Sequence, residues 1–365
     1  MKILHIITDT NIGGAGTHLL TLLDAIDRKI FTLDAVLPKG SKLITELANR
    51  DVNYITADNI AEKSFSHSGC HELVSLIKDI RPDIVHTHAS FSGRIAARLC
   101  KRPIIYTRHS VFEPPPKTTR FPLKNIMGLT NRIFSDKIIA VSPAAKENLI
   151  RQGTPRELIK VIFNGVPPTK QYSAAEKTAL RHKYNISEES FVISHIARLD
   201  DIKGHDYTLD AAKMWQNDLS IICVIAGSGP METHLRKRIK NEAIKNVIMP
   251  GFVQPIGDLL NITDLQINAS YGSEATSYAL LEGMSLGIPM VVSDFGGNPF
   301  VVTNMKNGLL FPQKDGKALG EAVLKIKNDR GLYHQLSQEA SEEYNKRFRA
   351  DIMAREIEKL YRSFE

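Results

Sequence analysis

The segment KILHIITDTNIGGAGTHLL (residues 2–20) joins a short apolar strand to a glycine-rich turn and then to the start of a helix. A strand that runs directly into a helix is the repeating unit of parallel sheets with crossover helices. Gly13 and Gly14 let the backbone pass close to a ligand, and amides at a helix N-terminus suit a phosphate. The turn lacks a dinucleotide fingerprint and a P-loop ending. The segment therefore predicts an α/β fold, with either a phosphate site or a simple tight turn at residues 8–17.

The same alternation of strands and helices continues outward from this segment to the end of the chain. Helices are predicted at residues 16–27, 143–151, 204–215 and 231–243, among others. In the first half the predicted strands are KILHIIT, FTLDAVL, DIVHTH, PIIYTR, KIIAVS and IKVIF. In the second half they are FVISHIA, SIICVIAG, NVIMPG, DLQINAS, PMVVSD and GLLF.

A chain of 365 residues is too long for one ordinary domain and fits two. The strand count restarts after FNGVPP, a breaker cluster that ends at Pro168. We therefore expect an N-terminal domain at 1–168, a C-terminal domain at 169–345, and a final helix at 346–365 that packs back toward the first domain. Two doubly wound sheets that face each other would place the carboxyl ends of their strands at a shared cleft, where such folds bind ligands.

The composition excludes several classes of protein. With 42% hydrophobic and 24% charged residues, the chain is neither disordered nor fibrous. The apolar stretch from Ile3 to Ile7 is too short for a signal peptide or a membrane span, so we expect a cytoplasmic protein. Three scattered cysteines without a Cys-x-x-Cys pair argue against a disulfide framework or a zinc site.

Positive charge is concentrated in the first half of the chain. The net charge is +7, and residues 1–165 carry 23 Lys and Arg against 15 Asp and Glu, so the remainder is near neutral. Residues 94–137 alone hold ten bases and two acids, interleaved with apolar residues in the part PPPKTTRFPLKNIMGLTNRIF. Such a segment is typical of a surface that binds an anionic membrane, which would bring the protein to a lipid-linked acceptor. The alternative is an ordinary amphipathic helix with its apolar face in the core. It carries no nucleic-acid-binding motif, so no nucleic-acid partner is expected.

Two cations follow the first strand of the second half, in ARLDDIKGHDYTLDAA. Arg198 leaves the end of the strand, and Lys203 lies just before the next helix. From these positions both side chains can converge on a diphosphate. The alternative is a solvated loop with two surface bases.

Two carboxylates mark the stretch GSEATSYALLEGMSLGIPMVVSDFGGNP (residues 272–299). Glu274 is expected at the entrance of a helix and Glu282 about two turns along it. Carboxylates accept paired hydrogen bonds from neighbouring sugar hydroxyls, and the amides near Ser277 and Tyr278 could meet phosphates. The spacing suits a nucleotide sugar that lies along the helix.

These segments together resemble the retaining glycosyltransferases of family four, and the resemblance covers nearly the whole chain. The matching pieces are GGAGTHLL, YTRHS, SPAAKENLI, VIFNGVP, ARLDDIKGHDYTLDAA, VIAGSGPMETHL, GFV and the Glu-x7-Glu helix with GIPMVVSDFGG. The resemblance implies the GT-B fold, an α/β architecture of two facing Rossmann-like, doubly wound domains with a cleft between them.

The resemblance also implies roles for individual residues. His109 and Glu274 would face the donor sugar as the catalytic candidates. The nucleotide sugar would be held by eight further residues. These are Gly13, Gly14, Arg198, Lys203, Val253, Ser277, Tyr278 and Glu282, with Val253 beside the base and Glu282 on the ribose.

The activity implied is retaining transfer of a hexose or N-acetylhexosamine from a nucleotide diphosphate sugar, UDP being favoured, to a glycan, lipid-linked or small-molecule acceptor. No cofactor is expected. A metal would be unnecessary because Arg198, Lys203 and helix amides would stabilise the charge that grows on the diphosphate, and the absence of an Asp-x-Asp pair is consistent with this. The location expected is the cytoplasm, including the inner face of the membrane. Two alternatives stay open at this point, a nucleotide-sugar 2-epimerase on the same fold and a non-catalytic binding or scaffold subunit.

Two positions depart from the family pattern. Ala275 replaces the glycine that usually follows the first glutamate, and Phe300 stands where a glutamate is common. Neither change removes a predicted phosphate contact. They bear on the identity of the sugar more than on the class of reaction.

Overall fold

A computed structural model describes all of residues 1–365, and the chain divides into two compact units. The first unit consists of Met1–Gly165 together with Ala350–Glu365, and the second of Val166–Arg349. The chain thus leaves the first unit after Gly165 and returns to it at Ala350, close to the positions 168 and 346 expected from the sequence.

The first unit is built on a seven-stranded parallel sheet in the order β3-β2-β1-β4-β5-β6-β7. Its strands are β1 Lys2–Ile7, β2 Thr32–Pro38, β3 Tyr54–Ala57, β4 Ile84–His88, β5 Ile104–Arg108, β6 Lys137–Ala140 and β7 Ile159–Val161. Its helices up to residue 165 are α1 Gly14–Ala25, α2 Leu43–Ala48, α3 His67–Ile80, α4 Phe91–Leu99, α5 Leu123–Ile133 and α6 Pro143–Arg151.

The second unit is built on a six-stranded parallel sheet in the order β10-β9-β8-β11-β12-β13. Its strands are β8 Phe191–Ile196, β9 Ile221–Ala226, β10 Val247–Gly251, β11 Leu265–Asn268, β12 Met290–Ser293 and β13 Gly308–Phe311. Its helices are α7 Ala174–Lys183, α8 His205–Trp215, α9 Glu232–Asn241, α10 Gly257–Leu260, α11 Tyr278–Ser285, α12 Asn298–Val301, α13 Gly316–Asn328 and α14 Arg330–Glu343.

Both sheets have the strand order of a doubly wound Rossmann-like domain, which confirms the predicted fold class. The order reverses between β1 and β4 in the first sheet and between β8 and β11 in the second. In such sheets, ligands bind beyond the carboxyl ends of the strands at the point of reversal. Ligand-binding residues are therefore expected in the loops that follow these four strands.

The strand β1 shows how the first core is formed. Ile3 and Ile7 lie in one apolar cluster, whereas Leu4 and Ile6 belong to the cluster on the opposite face of the sheet. A parallel strand buried on both faces has this nearly continuous apolar sequence. The one polar residue inside it, His5, is fully buried on the same face as Ile3 and Ile7.

The final helix begins at Ala350, a few residues later than the expected position 346. The helix α14 ends at Glu343, a π-helical turn spans Tyr344–Phe348, and α15 follows at Ala350–Arg362. The apolar face of α15, including Tyr361, completes the first core. None of the helices has both the length and the apolar composition that a membrane span requires.

Candidate functional site

In the first unit, the glycine turn after β1 leads straight into α1. Gly13 is the N-cap residue in an extended conformation, and Gly14 is the first residue of the helix. A Cβ atom added at Gly13 would meet no atom within 4 Å, so the space beside this backbone is open. The helix has no acidic residue in its first turn, and its N-terminus keeps the positive character that suits a phosphate.

In the second unit, the loop after β8 packs against the backbone that follows β11. Gly204 separates the short turn Asp201–Lys203 from α8 and has a φ of +71°. A Cβ atom there would lie 2.1 Å from the carbonyl oxygen of Ala269. Only glycine allows this approach, and it brings Lys203 next to the loop that carries Glu274.

Lys203 and Glu274 form an ion pair at this junction. The Lys203 Nζ atom lies 3.0 Å from Glu274 Oε2 and donates a second hydrogen bond to the carbonyl oxygen of Ser273. The Asn268 amide and the Ser270 hydroxyl donate to the same Oε2 atom, at 3.0 and 2.9 Å. Three donors thus converge on one carboxylate oxygen, and the hydrogen-bonding capacity of Oε1 is left for a ligand.

The charge state of Glu274 follows from these contacts. The side chains of Glu274 and Lys203 are only 7% and 20% exposed. Burial raises the pKa of the Glu274 carboxyl, but Lys203 and the hydrogen bonds from Asn268 and Ser270 outweigh it, so the pKa lies below its usual value. Glu274 is therefore an enclosed carboxylate that stays ionised at neutral pH.

Arg198 differs from Lys203 in its exposure. Its side chain is 67% exposed and pairs with Asp200. A guanidinium in this position is free to turn toward a ligand, because an exposed ion pair holds it only weakly. The two predicted cations thus lie on one loop, Lys203 enclosed by the protein and Arg198 exposed on its surface.

The helix α11 begins later than the sequence suggested. It starts at Tyr278, so Glu274 lies in the preceding loop and Glu282 only one turn into the helix. Glu274 thus precedes the helix, as expected, but it does not adjoin the first turn, because the loop between β11 and α11 folds back toward Lys203. Ser277 is the N-cap residue, and its side chain makes no capping hydrogen bond.

Glu282 and Val253 occupy contrasting surroundings. Glu282 is partly buried, and burial raises the pKa of its carboxyl to about 7. Val253, in the loop after β10, is partly buried and packs on the apolar cluster around Val192 and Val224. An apolar residue such as Val253, with backbone groups beside it, suits the base of a nucleotide. A carboxyl with a pKa near 7 suits hydroxyl ligands, because their hydrogen bonds favour its ionised form.

His109 follows β5 and is half-buried. Its Nε2 atom lies 2.8 Å from the Nδ1 atom of His88, whereas its Nδ1 atom has no partner in the protein. The neighbouring His18 also has one unpaired buried nitrogen, and the two rings are 5.0 Å apart. Sequence reasoning singled out His109 but missed His18, although a histidine in the apolar run THLL of α1 is a visible signal.

The two departures from the family pattern have structural settings. Ala275 is buried, and its carbonyl oxygen would lie 1.7 Å from a Cβ atom added at Gly297. The Gly297 amide donates to the carbonyl oxygen of Glu274 at 2.9 Å. The glycine pair of DFGGNP thus holds the Glu274 loop in place, whereas Phe300 is 40% exposed in α12.

The structure therefore brings two groups of predicted residues to the carboxyl-terminal edges of the two sheets, at or next to the points where the strand order reverses. In the first unit, Gly13 and Gly14 follow β1 and His109 follows β5. In the second unit, the other candidates follow β8, β10 and β11. These are Arg198, Lys203, Val253, Glu274, Ser277, Tyr278 and Glu282.

Comparison with known proteins identifies families and folds like this one. The model "Glycosyltransferase Family 4" matches residues 12–170, and "Glycosyl transferases group 1" matches residues 176–343. An Escherichia coli UDP-Gal:alpha-D-GlcNAc-diphosphoundecaprenol alpha-1,3-galactosyltransferase is 27% identical over 353 residues, covering 89% of this chain and 90% of the relative. The N-acetyl-alpha-D-glucosaminyl L-malate synthase of Bacillus anthracis is 24% identical over 285 residues, covering 76% of this chain and 74% of the relative.

Solved structures agree on the fold. HepE from Anabaena, in complex with UDP-glucose, superposes with a TM-score of 0.87 at 22% identity, with both chains fully covered. WaaG, a glycosyltransferase involved in lipopolysaccharide biosynthesis, has a TM-score of 0.70 at 12% identity, with 97% of this chain and 98% of WaaG covered. Both likenesses concern the two-domain fold. Since the two matched segments lie one in each half and together span nearly the whole sequence, this chain belongs to the glycosyltransferase family that the two models describe.

Proposed function

We propose that this glycosyltransferase transfers the sugar of a UDP-sugar to a lipid-linked diphosphate acceptor with retention of anomeric configuration, without a metal ion, and that UDP is the leaving group. The observation that carries the proposal is the group around Glu274 Oε2, where Lys203 is held beside the N-terminus of α11. An ammonium group and a helix N-terminus form a positive site that matches a nucleoside diphosphate.

Lys203 keeps the capacity to bind a phosphate. An ammonium group has three N–H donors, and the protein uses two of them, on Ser273 and Glu274. The third donor and the exposed guanidinium of Arg198 supply the charge that a divalent metal supplies in other transferases. UDP is the favoured carrier because the Escherichia coli relative is named for UDP-Gal and the HepE complex contains UDP-glucose.

The arrangement also supports the transfer step. In same-face transfer, the bond from the anomeric carbon to the diphosphate oxygen breaks, the acceptor oxygen bonds to that carbon, and the departing oxygen takes the acceptor's proton. Lys203 and Arg198 stabilise the charge that grows on the diphosphate. Because Glu274 stays ionised, its Oε1 atom accepts a hydrogen bond from a sugar hydroxyl. Its negative charge also stabilises an oxocarbenium-like transition state.

The acceptor assignment rests on the helix α5. Its apolar side chains point outward, with exposures of 54% for Ile126 and 58% for Leu129, while Phe121 just before the helix is 82% exposed. The expectation that this apolar face lies in the core is therefore wrong. Lys117 and Arg120 precede the same face and would meet anionic headgroups.

Small and polar residues hold α5 on the protein instead. A Cβ atom added at Gly128 would lie 2.2 Å from the carbonyl oxygen of Gly153, so the helix backbone rests directly on that loop. On the same face, Asn131 is buried, donates to Thr154 at 2.7 Å and accepts from Arg94 at 2.8 Å. The polar anchor leaves the apolar stripe free for an anionic bilayer, where lipid-linked acceptors reside.

The donor half of the proposal is tested by calorimetric titration with UDP, GDP and ADP, with and without EDTA. We expect selective, EDTA-insensitive binding of UDP that Lys203→Met weakens at least about tenfold, since a hydrogen bond to a charged group contributes about 1.5–3 kcal/mol. Arg198→Met serves as a second variant, because Arg198 is exposed and its removal should not affect folding. Lys237→Met, an exposed position on α9, is the control. Loss of UDP binding in EDTA would overturn metal independence, and no binding of any nucleotide would overturn the donor site.

The transfer itself is tested with UDP-sugars and a polyprenyl diphosphate-linked sugar, with the product's anomeric configuration read by NMR. Retention is expected, and an inverted product would contradict the proposed chemistry. Glu274→Gln and His109→Ala should abolish transfer. A modified free sugar formed without acceptor would indicate epimerase chemistry, which neither the family models nor the relatives named above support.

The membrane surface is tested by flotation with phosphatidylglycerol vesicles in low salt. The parent should float, and the variant Ile126→Ser/Leu129→Ser should stay in solution. Leu219→Ser is the matched control, because Leu219 is an 87% exposed leucine of the second unit. Failure of the parent to float, or equal loss in the control, would remove the membrane from the proposal.

A further inference from the structure

A continuous chain of hydrogen bonds runs through the core of the first unit and ends at His109. The parallel register places His5 opposite His86 and His88 opposite Thr107 on neighbouring strands. Six side chains form what we call the histidine chain. In order they are Thr107, His86, Tyr361, His5, His88 and His109, and their successive bonds measure 2.6, 2.7, 3.4, 3.0 and 2.8 Å.

All the imidazoles of the histidine chain have the same orientation. Each of the four rings turns its Nε2 atom toward the Thr107 end, and the first three turn Nδ1 toward His109. Only the Nδ1 atom of His109 itself is left unpaired. Because the rings all point the same way, the protonation of one nitrogen dictates that of the next.

The rings are neutral in this environment. Burial lowers the pKa of His5 to about 3, and it lowers the pKa values of His86, His88 and His109 well below the usual range, with neighbouring charges adding to the effect. A neutral imidazole has one N–H donor and one acceptor nitrogen. The histidine chain therefore has two self-consistent states, in which every ring carries its proton either on Nδ1 or on Nε2.

Thr107 decides between the two states. Its hydroxyl is fully buried, and its only side-chain hydrogen bond is to His86 Nε2. If Nε2 carried the proton, both the Thr107 hydrogen and the Nδ1 lone pair of His109 would be buried without a partner. The Nδ1–H state leaves only the His109 N–H unpaired, and a ligand oxygen can accept that hydrogen. Thr107 therefore donates to His86, His86 Nδ1 donates to Tyr361, and the Tyr361 hydroxyl donates to His5 Nε2. The same direction continues through His88 to His109.

We propose that Thr107 and Tyr361 act as positioning residues that hold His109 as its Nδ1–H tautomer, so that it donates a hydrogen bond to an oxygen of the sugar substrate. This inference rests on the proposed function for the identity of the ligand, but the tautomer itself is a property of the free protein. In water, imidazole side chains favour the Nε2–H form, so the histidine chain imposes the less common state. The tautomer of a histidine is set by the hydrogen bond of its other nitrogen.

A metal ion is the other use that a histidine cluster suggests. The ligand nitrogens of His5, His86 and His88 lie within 4.8 Å of one another. All six ring nitrogens of these residues, however, already have hydrogen-bond partners, and the three rings are fully buried. A metal ion would have to replace hydrogen bonds of the histidine chain. The structure therefore favours a hydrogen-bonding role for these rings over metal binding.

The tautomer is measured directly by NMR of protein labelled with ¹⁵N-histidine, since protonated and unprotonated ring nitrogens resonate far apart. His109→Gln identifies the His109 signals. The expected result in the parent at pH 7 is a protonated Nδ1 and an unprotonated Nε2. A protonated Nε2, an imidazolium, or signals displaced by a bound metal would each overturn the proposal, whether or not the protein transfers sugars.

The positioning role is tested with Tyr361→Phe, which removes one hydroxyl and keeps the ring in the core. We expect part of His109 to revert to the Nε2–H form and kcat to fall about tenfold with the donor KM little changed, the effect of one weakened hydrogen bond in the transition state. Thr107→Ser should retain the parent tautomer. Tyr344→Phe removes an equally buried hydroxyl outside the histidine chain and controls for that loss.

The outcomes separate this inference from the proposed function. A lower kcat in Tyr361→Phe with an unchanged His109 tautomer would reveal a merely structural effect and refute the positioning role. An unchanged kcat and tautomer would refute it as well. A parent protein with Nδ1–H on His109 but no transfer to any acceptor would leave the tautomer assignment standing and refute the proposed function.

Discussion

Replacing Lys203 with Met removes the cation from a carboxylate that is almost fully enclosed. The pair is 3.0 Å apart, with side-chain exposures of 20% for Lys203 and 7% for Glu274. Breaking a buried pair from one side costs about 3–5 kcal/mol, because the remaining charge stays uncompensated. Asn268 and Ser270 still donate to Glu274 Oε2 in the variant, so we expect a loss of about 2–3 kcal/mol at pH 8.

The loss should depend on pH with a defined sign. In the parent, the lowered pKa of Glu274 stabilises the fold above the usual glutamate pKa, and this contribution disappears as the pH falls through the lowered value. Without Lys203, burial dominates and raises the pKa of Glu274. The variant's carboxyl then takes up a proton at a higher pH. The stability difference should therefore be largest at pH 8 and shrink toward pH 5.

The assay is urea unfolding followed by tryptophan fluorescence. Trp215 is the only tryptophan of the chain, is 1% exposed, and lies in the core of the second unit. Its signal reports that unit alone, which avoids treating a two-unit protein as one transition. Lys237→Met is again the control and should change stability by less than about 0.5 kcal/mol.

The double variant Lys203→Met/Glu274→Gln completes the cycle. Removing the stranded charge should recover about 1–3 kcal/mol relative to the sum of the single losses. If the two substitutions were additive and Lys203→Met cost under about 1 kcal/mol at every pH, the ion pair would contribute nothing. The assignment of Glu274 as an enclosed carboxylate would then be refuted.

Two further predictions concern Glu282 and Gly204. Burial raises the pKa of Glu282 to about 7, and sugar hydroxyls favour its ionised form, so UDP affinity should fall by up to about tenfold per pH unit below pH 7. Glu282→Gln should flatten this dependence in calorimetry between pH 5.5 and 8.5, and a flat parent profile would contradict the role. Gly204→Ala should cost more than about 2 kcal/mol, since its Cβ would lie 2.1 Å from the Ala269 carbonyl at a φ of +71°. Gly40→Ala, at +78° with no neighbour within 4 Å, should cost only about 1 kcal/mol, and equal losses in urea unfolding would show that the contact is unimportant.

The fold could be predicted from the sequence because the buried strands are continuous runs of apolar residues. The exception is β3 at Tyr54–Ala57, which was not predicted. It forms one edge of the sheet and has three exposed residues out of four. An edge strand buries too little surface to leave an apolar run, so periodicity alone could not reveal it.

The partners of the site residues were harder to predict than the residues themselves. Lys203 and Glu274 were both singled out, but they are 71 positions apart, and their contact depends on the pairing of β8 with β11. The histidine chain depends likewise on strand register, which aligns His5 with His86. The register of the strands is fixed by the packing of the whole sheet, so it cannot be predicted from sequence motifs alone.

The return of the chain to its first unit bears on how the protein is made. Residues 350–365 supply Tyr361 and much of one apolar face to a core that otherwise belongs to residues 1–165. On the ribosome, that core stays open while residues 166–349 are synthesised, and that later-made unit can fold first. A nascent chain stalled before residue 350 would expose the apolar surface that α15 covers.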